Sequence, residues 1–253
     1  MLVKQKVSTL LHSLLKNKAV PVFSGPLRGW KWLPRSGNHA YWLGKHEKEY
    51  VNAFAQSINP GDIVFDIGAQ AGYFTLVAAR MAGKQGHIVS FEPFPENIEF
   101  IKEHCHLNSC ENITLLEVAV GGSKGRRSFQ AANVFMGHLL TVDADAVENI
   151  GKDALVVEVV TLDTLPVEEK VSVPKVMKID TEGMEYWVLQ GGKKLIAQHR
   201  PVIFVATHGK KNQQRTLALL QEWNYEVEMI GNGSETVKSW RSVYGFESTC
   251  NHS

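Results

Sequence analysis

Two short segments hold the densest chemistry in the chain. Asp66-Ile67-Gly68-Ala69-Gln70-Ala71-Gly72 and Lys178-Ile179-Asp180-Thr181-Glu182-Gly183-Met184-Glu185 each set carboxylates among glycines directly after a brief apolar run. Those runs, Ile63-Val64-Phe65 and Val176 to Ile179, have the length and β-branched content of buried parallel strands. Strands of that kind deliver the residues after them to the carboxyl edge of a sheet, where α/β folds bind ligands. Gly68 and Gly72 permit positive φ and close approach of a ligand, and Tyr73 to Met81 then reads as a helix. A second strand, Ile88-Val89-Ser90-Phe91, ends in Glu92, about where dinucleotide folds place the carboxylate that accepts the ribose hydroxyls.

A G-x-x-x-G turn alone also describes a plain helix entrance. A nicotinamide site favours G-x-G-x-x-G, with the helix amino end free for a pyrophosphate. Here Asp66 stands two residues before the first glycine and Glu92 ends the next strand, so a cationic ligand without phosphate fits better. S-adenosylmethionine, with its sulfonium and amino groups, is such a ligand. A nicotinamide-dependent oxidoreductase and a non-catalytic binding module are the alternative readings.

The stretches Tyr41-Trp42-Leu43-Gly44-Lys45-His46-Glu47, Asp66 to Tyr73, Phe91-Glu92-Pro93, Thr161-Leu162-Asp163 and Lys178 to Glu185 occur in the order seen in FkbM-family methyltransferases, which the chain resembles over roughly residues 40 to 210. The K-I-D-x-E-G-x-E segment is the most family-specific of them. The resemblance implies a class I methyltransferase fold, which is α/β and Rossmann-like. Its mostly parallel seven-stranded sheet would run in the order 3-2-1-4-5-7-6 with helices on both faces. It further implies S-adenosylmethionine as donor, S-adenosylhomocysteine as product, and a hydroxyl oxygen on a small molecule or saccharide as acceptor. The donor site would draw on Glu47, Asp66, Gly68, Ala69, Gln70, Gly72, Tyr73, Glu92 and Asp180, with the segment around Tyr41 to Glu47 folded over it as a lid. Ala206 stands where similar chains tend to carry a glutamate, and Gln70 where many carry asparagine.

Methyl transfer from a sulfonium is an in-line displacement, so the protein must align the partners and take a proton from a hydroxyl acceptor. Asp180 is the residue expected nearest the reacting centre, as base or as orienter of the acceptor. Glu182 shares that role, and Glu185, further along, is expected to be structural. The plainer reading of Asp180 and Glu182 is that they cap the helix opening near Met184. His208, after the fifth strand, is a second candidate base because imidazole titrates near neutrality. A divalent metal on Asp180, Glu182 and Asp163 would also activate a hydroxyl, but no recognisable ligand set supports it. His104-Cys105-His106 with Cys110 falls at a helix end in spacing that does not suit zinc, leaving Cys105 as core and the histidines at the favourable carboxyl end of the dipole.

The elements that must hold these residues alternate in the βα manner. Helices are expected at Pro95 to Leu107, Met184 to Leu195 and Thr216 to Trp223. Strands are expected at Ile113 to Val120, Val156 to Leu162 and Val202 to Thr207, with a closing antiparallel pair from Tyr225 to Ile230 and Ser242 to Phe246. The long stretch after the third strand would shape the acceptor pocket, with Arg126 and Arg127 in a solvated hairpin. Residues 1–59 form an amino-terminal helix and cap, and residues 60–253 the Rossmann-like domain. The first twenty residues interleave leucines and lysines as a helix that packs on the domain or on a second subunit of a homodimer. A chain of 253 residues, 44% hydrophobic with a formal net charge of +1, buries one sizeable α/β core and offers no general attraction to nucleic acid. Cys105, Cys110 and Cys250 are odd in number and no secretory leader is evident, so a cytoplasmic location with reduced thiols is expected. The sequons at Asn112 and Asn232 then carry no meaning, and no apolar run has the length of a membrane span.

Overall fold

The computed structural model describes residues 18–133, 136–143, 154–169, 171–230 and 236–241. The amino-terminal helix, all but its last positions, and the strand expected at Ser242 to Phe246 lie outside the described residues, as does Cys250.

A short antiparallel ribbon, β1 (Val20–Pro21) with β2 (Lys31–Trp32), precedes two cap helices, α1 (Ala40–Leu43) and α2 (Lys48–Gln56). The chain then alternates through β3 (Ile63–Ile67), α3 (Tyr73–Ala82), β4 (His87–Phe91), α4 (Pro95–Leu107) and β5 (Ile113–Leu116). An insertion follows, comprising β6 (Ala119–Val120), β7 (Gly125–Asn133), β8 (Met136–Asp143), β9 (Ala154–Val160) and the single-turn α5 (Leu165–Glu168). The last part runs β10 (Val176–Ile179), α6 (Glu185–Gln190), α7 (Lys193–His199), β11 (Val202–Ala206), α8 (Lys210–Glu222), β12 (Tyr225–Met229) and β13 (Thr236–Arg241).

Seven strands form the main sheet in the order β5-β4-β3-β10-β11-β13-β12. The first five pair in parallel, and β13 runs antiparallel to both β11 and β12. This is the expected 3-2-1-4-5-7-6 arrangement. The strand order reverses between β3 and β10, and both acidic loops leave the sheet at that switch point, where a crevice opens beyond the strand ends.

Alternation along the strands sends successive side chains to opposite faces, and each face has its own core. Val64, Ile88, Val176 and Phe204 face a cluster that includes Phe54 of α2 and Leu76 of α3. Phe65, Val89, Met177 and Ile203 face a second, with Val188 of α6, Ile196 of α7 and Leu220 of α8. The first cluster reaches back to Leu27 and Trp32, so the cap shares its core with the sheet.

Four elements differ from expectation. The run Ile113 to Val120 breaks after Leu116. β6 then leaves the main sheet for a second one, β6-β9-β7-β8, in which β9 is the extra strand expected near Val156 to Leu162. The helix expected from Met184 to Leu195 is two helices, because Gly191 passes so close to the insertion that a Cβ there would lie 2.1 Å from the Gly121 carbonyl oxygen. α8 begins at Lys210, six residues ahead of Thr216. The closing strand is Thr236–Arg241.

Candidate active site

The two acidic loops touch. The Asp180 N–H donates to the Ile67 carbonyl at 3.0 Å, continuing the β3/β10 pairing one step past the strands. Gly68 has φ 76°, and a Cβ on it would lie 1.9 Å from the Asp180 carbonyl oxygen, so only glycine fits this crossing. The N–H groups of Gly68 and Ala69 both donate to the Phe91 carbonyl at 3.0 Å, tying the loop to the end of β4.

Lys178 lies beneath this junction, almost wholly buried. Its Nζ donates to the Gly68 carbonyl at 2.8 Å and lies 3.3 Å from Asp66 Oδ1 and 3.8 Å from Asp180 Oδ2. Burial works against its charge, but Asp66 and Asp180 outweigh it and raise the Lys178 pKa, so the ammonium persists. Asp66, fully buried, also accepts the Thr75 hydroxyl at 2.6 Å.

Above the junction opens a cavity of about 260 Å³. Of the residues expected to bind the donor, Glu47, Gly68, Ala69, Gln70, Tyr73, Glu92 and Asp180 line it, as do Glu182 and His208. Asp66 and Gly72 do not. Asp66 acts from below through Lys178, and Gly72 starts α3 with Ile101 packed 3.1 Å from where its Cβ would be. Arg126 and Arg127 are also absent from the lining; Arg127 donates to the Arg126 carbonyl and the Ser123 hydroxyl, as a hairpin residue would.

The Glu92 carboxylate is held by three donors. Its Oε2 accepts the Gln70 N–H at 2.8 Å, and its Oε1 accepts the Phe94 N–H at 2.9 Å and the Asn97 amide at 3.3 Å. Burial is the larger influence and pushes the carboxyl up to about 7 against those hydrogen bonds.

At the other end of the cavity His208 stands among three acids. Its Nδ1 is 3.1 Å from Glu185 Oε1, and its Nε2 is 3.8 Å from Asp180 Oδ1 and 3.6 Å from Glu182 Oε2. The hydrogen bond to Glu185, helped by Asp180 and Glu182, pushes the imidazole up to about 9 although burial opposes it. His208 is therefore an imidazolium at neutral pH, which removes it as the resting general base. Glu185 is the residue that closes the loop: its Oε1 accepts the N–H groups of Thr181 at 3.1 Å and Gly183 at 3.0 Å, and Oε2 accepts the Asn212 amide. Burial would raise the Glu185 pKa, but the bonds from His208 and Gly183 hold it below the usual carboxylate value.

Asp180, Glu185 and His208 offer ligand atoms within 4.8 Å of one another. The two imidazole nitrogens face different carboxylates and Glu185 is already taken up by its donors, so the set has the form of a hydrogen-bonded ion cluster. Asp163, the third residue weighed for a metal, lies elsewhere and caps α7, accepting the N–H groups of Leu195 at 2.8 Å and Lys194 at 3.2 Å.

The cap closes one side. The Tyr41 hydroxyl donates to Gln70 Oε1 at 2.8 Å, and its ring packs on His46 and Tyr73 with centroids 4.2 and 5.2 Å away. Burial and Lys178 push His46 down to about 4. Burial lifts Glu47 above the usual carboxylate value, with repulsion from Asp180 adding to it. Glu47, Gln70 and Glu182 all line the cavity with left-handed backbones, at φ 36°, 51° and 52°.

His104 is a supporting residue that spacing did not reveal. It is fully buried, stacks on Trp32 at 3.8 Å, accepts the Leu33 N–H at Nε2 (3.1 Å) and donates from Nδ1 to the Ala71 carbonyl (2.8 Å). Burial pushes it down to about 4, so it is a neutral strut between cap and glycine loop and not the dipole-stabilised cation expected at that helix end. Its one sequence signal is its place in the apolar stripe of α4, three residues after Ile101.

Comparison with known proteins agrees with this geometry. The chain is 20% identical over 183 residues to hexuronic acid methyltransferase AglP of Haloferax volcanii, covering 72% of this chain and 71% of that one. It is 36% identical over 72 residues to a protein-L-isoaspartate O-methyltransferase of Ignicoccus hospitalis, covering 28% of this chain and 33% of that one. A match to an arsenite methyltransferase of Halobacterium salinarum spans 15% of that protein. A crystal structure of methyltransferase FkbM from Methylobacillus flagellatus shares the fold, with a TM-score of 0.50 and 14% identity, over 81% of this chain and 56% of that one. The model of the methyltransferase FkbM domain matches residues 66–227, from the first acidic loop through β12, and with both loops joined at one cavity the chain belongs to the FkbM family of S-adenosylmethionine-dependent methyltransferases.

Proposed function

We propose that the protein methylates a hydroxyl oxygen on a small molecule or saccharide. The observation that carries this reading is the placement of Asp180 and Glu182, whose partly exposed side chains face the same cavity as the Gly68–Gln70 loop and Glu92. The naming of the Haloferax relative for a hexuronic acid supports a saccharide.

The residues present fit the donor. Glycine at 68 keeps the loop backbone open to a ligand, and Glu92 offers a fixed carboxylate for ribose hydroxyls beside it. Gln70, held by Tyr41, and Tyr73 flank that position, while Glu47 and Asp180 offer negative charge to the donor's amino and sulfonium groups. When bound, S-adenosylmethionine supplies a methyl group on a cationic sulfur. Asp180 accepts the hydroxyl proton at a carboxylate oxygen. Lys178 below and the His208 imidazolium beside it hold Asp180 in place, and His208 and Glu182 together orient the acceptor. Tyr41 and His46 cover the site against water.

We further propose a cytoplasmic location, in keeping with Cys105 and Cys110 as free thiols. Among the described residues no helix is long and apolar enough to cross a membrane. The test is mass spectrometry of products formed by the purified full chain from hydroxylated acceptors and S-adenosylmethionine. An O-methyl product supports the proposal; methyl groups found on nitrogen or carbon overturn it.

A further inference from the structure

The charge arrangement around the cavity restricts what the acceptor can be. Glu47, Asp180 and Glu182 line it, and Asp66 and Glu185 lie just behind. The cations set against them among the described residues, Lys178 and His208, are both spoken for. Lys178 borders the cavity, but its side chain is only 3% exposed and is held against Asp66 and the Gly68 carbonyl, and His208 is spanned by Glu185 on one nitrogen and by Asp180 and Glu182 on the other. The arginines of the insertion, Arg126 and Arg127, do not line the cavity. Lys210 and Lys211, which open α8, and Arg215 further along it do not line the cavity either, and Arg215 bonds Asn212 and stacks over Tyr186. An acceptor carboxylate or phosphate would meet fixed negative oxygens, and among the described residues no guanidinium lines the cavity and the one lining ammonium, Lys178, is already taken up by Asp66 and the Gly68 carbonyl. A fixed cation would fare little better beside the His208 imidazolium and the donor sulfonium. Hydroxyl groups suit the site, because Asp180 and Glu182 present side chains 28% and 31% exposed whose oxygens only accept hydrogen bonds.

We infer that the acceptor is an uncharged polyhydroxy compound, with neighbouring hydroxyls bound by Asp180 and Glu182, and that acidic sugars are rejected. This rests on the O-methylation reading and separates the chain from its hexuronic-acid-methylating relative. A like charge about 6 Å away at an effective dielectric near 20 weakens binding by about 100-fold.

The experiment compares a panel of neutral methyl aldopyranosides with the corresponding methyl glycopyranosiduronates, which differ only in a carboxylate. Binding to the full chain without donor is read by saturation-transfer NMR, and O-methyl transfer by mass spectrometry with S-adenosylmethionine. Neutral sugars are expected to bind and react at least tenfold better than their uronates. Glu182→Gln and Glu47→Gln should each narrow that ratio, and rising salt should narrow it further. Uronates binding or reacting as well as neutral sugars would overturn the inference while leaving O-methylation standing. Methyl groups on nitrogen, or no binding and no transfer to either set by chain that binds S-adenosylhomocysteine, would overturn both.

Discussion

The buried carboxyl of Glu92 makes donor affinity depend on pH in a calculable way. With its pKa near 7, about one carboxyl in ten is ionised at pH 6 and about nine in ten at pH 8. If the ribose hydroxyls require the carboxylate, the apparent Kd for S-adenosylhomocysteine weakens about tenfold from pH 8 to pH 6, or about 1.4 kcal/mol. His46, at about 4, and His208, at about 9, titrate outside this window. The ligand-free chain should show the opposite trend from the same residue. A carboxyl whose pKa is raised on folding stabilises most at low pH, and that stability is lost as pH rises through 7, by about 1.4 kcal/mol between pH 6 and 8. Calorimetric titrations at half-unit pH steps, on the natural chain and on Glu92→Gln, measure the binding slope directly. A Kd that is flat over this range, or a slope that survives in Glu92→Gln, would refute the assignment of Glu92 to the donor.

Four further outcomes are expected. Asp180→Asn should lower kcat by about 100-fold or more while changing S-adenosylhomocysteine affinity far less, as read by product release and calorimetry. Gly68→Ala places a methyl group against the Asp180 carbonyl and forces alanine into a left-handed conformation, so urea denaturation should show a loss of about 2–4 kcal/mol. His208 is raised to about 9, so the stability it contributes is complete below about pH 6.5 and lost as pH rises through 9; His208→Gln should flatten the fall of Tm between pH 7 and 10. His104, lowered to about 4, stabilises fully above about pH 6.5 and loses this as pH falls toward 4, so His104→Asn should lower Tm at pH 7 more than at pH 4.5.

The loops were legible in the sequence because a buried parallel strand ending in Asp-x-Gly or Asp-x-Glu-Gly leaves few other structures open. Strand order followed from the family resemblance and could not have come from periodicity. What escaped the reading depends on contacts between distant positions. The break at Gly191 is set by a carbonyl seventy residues earlier, and His104 is defined by Leu33 and Ala71, neither near it in sequence. The first turns of α8, Lys210 to Arg215, are almost wholly polar, so the apolar stripe shows only from Thr216 onward. Asn212 within those turns is buried for its bond to Glu185. The side chains of Asp66 and Glu185 lie beneath or beside the cavity, and spacing along a chain distinguishes poorly between lining a site and supporting it.

Three left-handed residues that are not glycine, Glu47, Gln70 and Glu182, come from three separate parts of the chain and meet around one cavity. Each holds a backbone that glycine would adopt at lower cost, so each stores conformational energy to keep a carboxylate or amide in place. Selection for heat resistance alone would drift toward glycine or asparagine at these positions, and under the proposed function the chain would grow more stable while its hold on donor and acceptor weakened. Ser109, Arg200 and Asn224 are left-handed too but do not line the cavity, so under the proposed reading a thermostability screen would separate the two sets: relaxing Glu47, Gln70 or Glu182 would cost ligand binding, and relaxing the others would not.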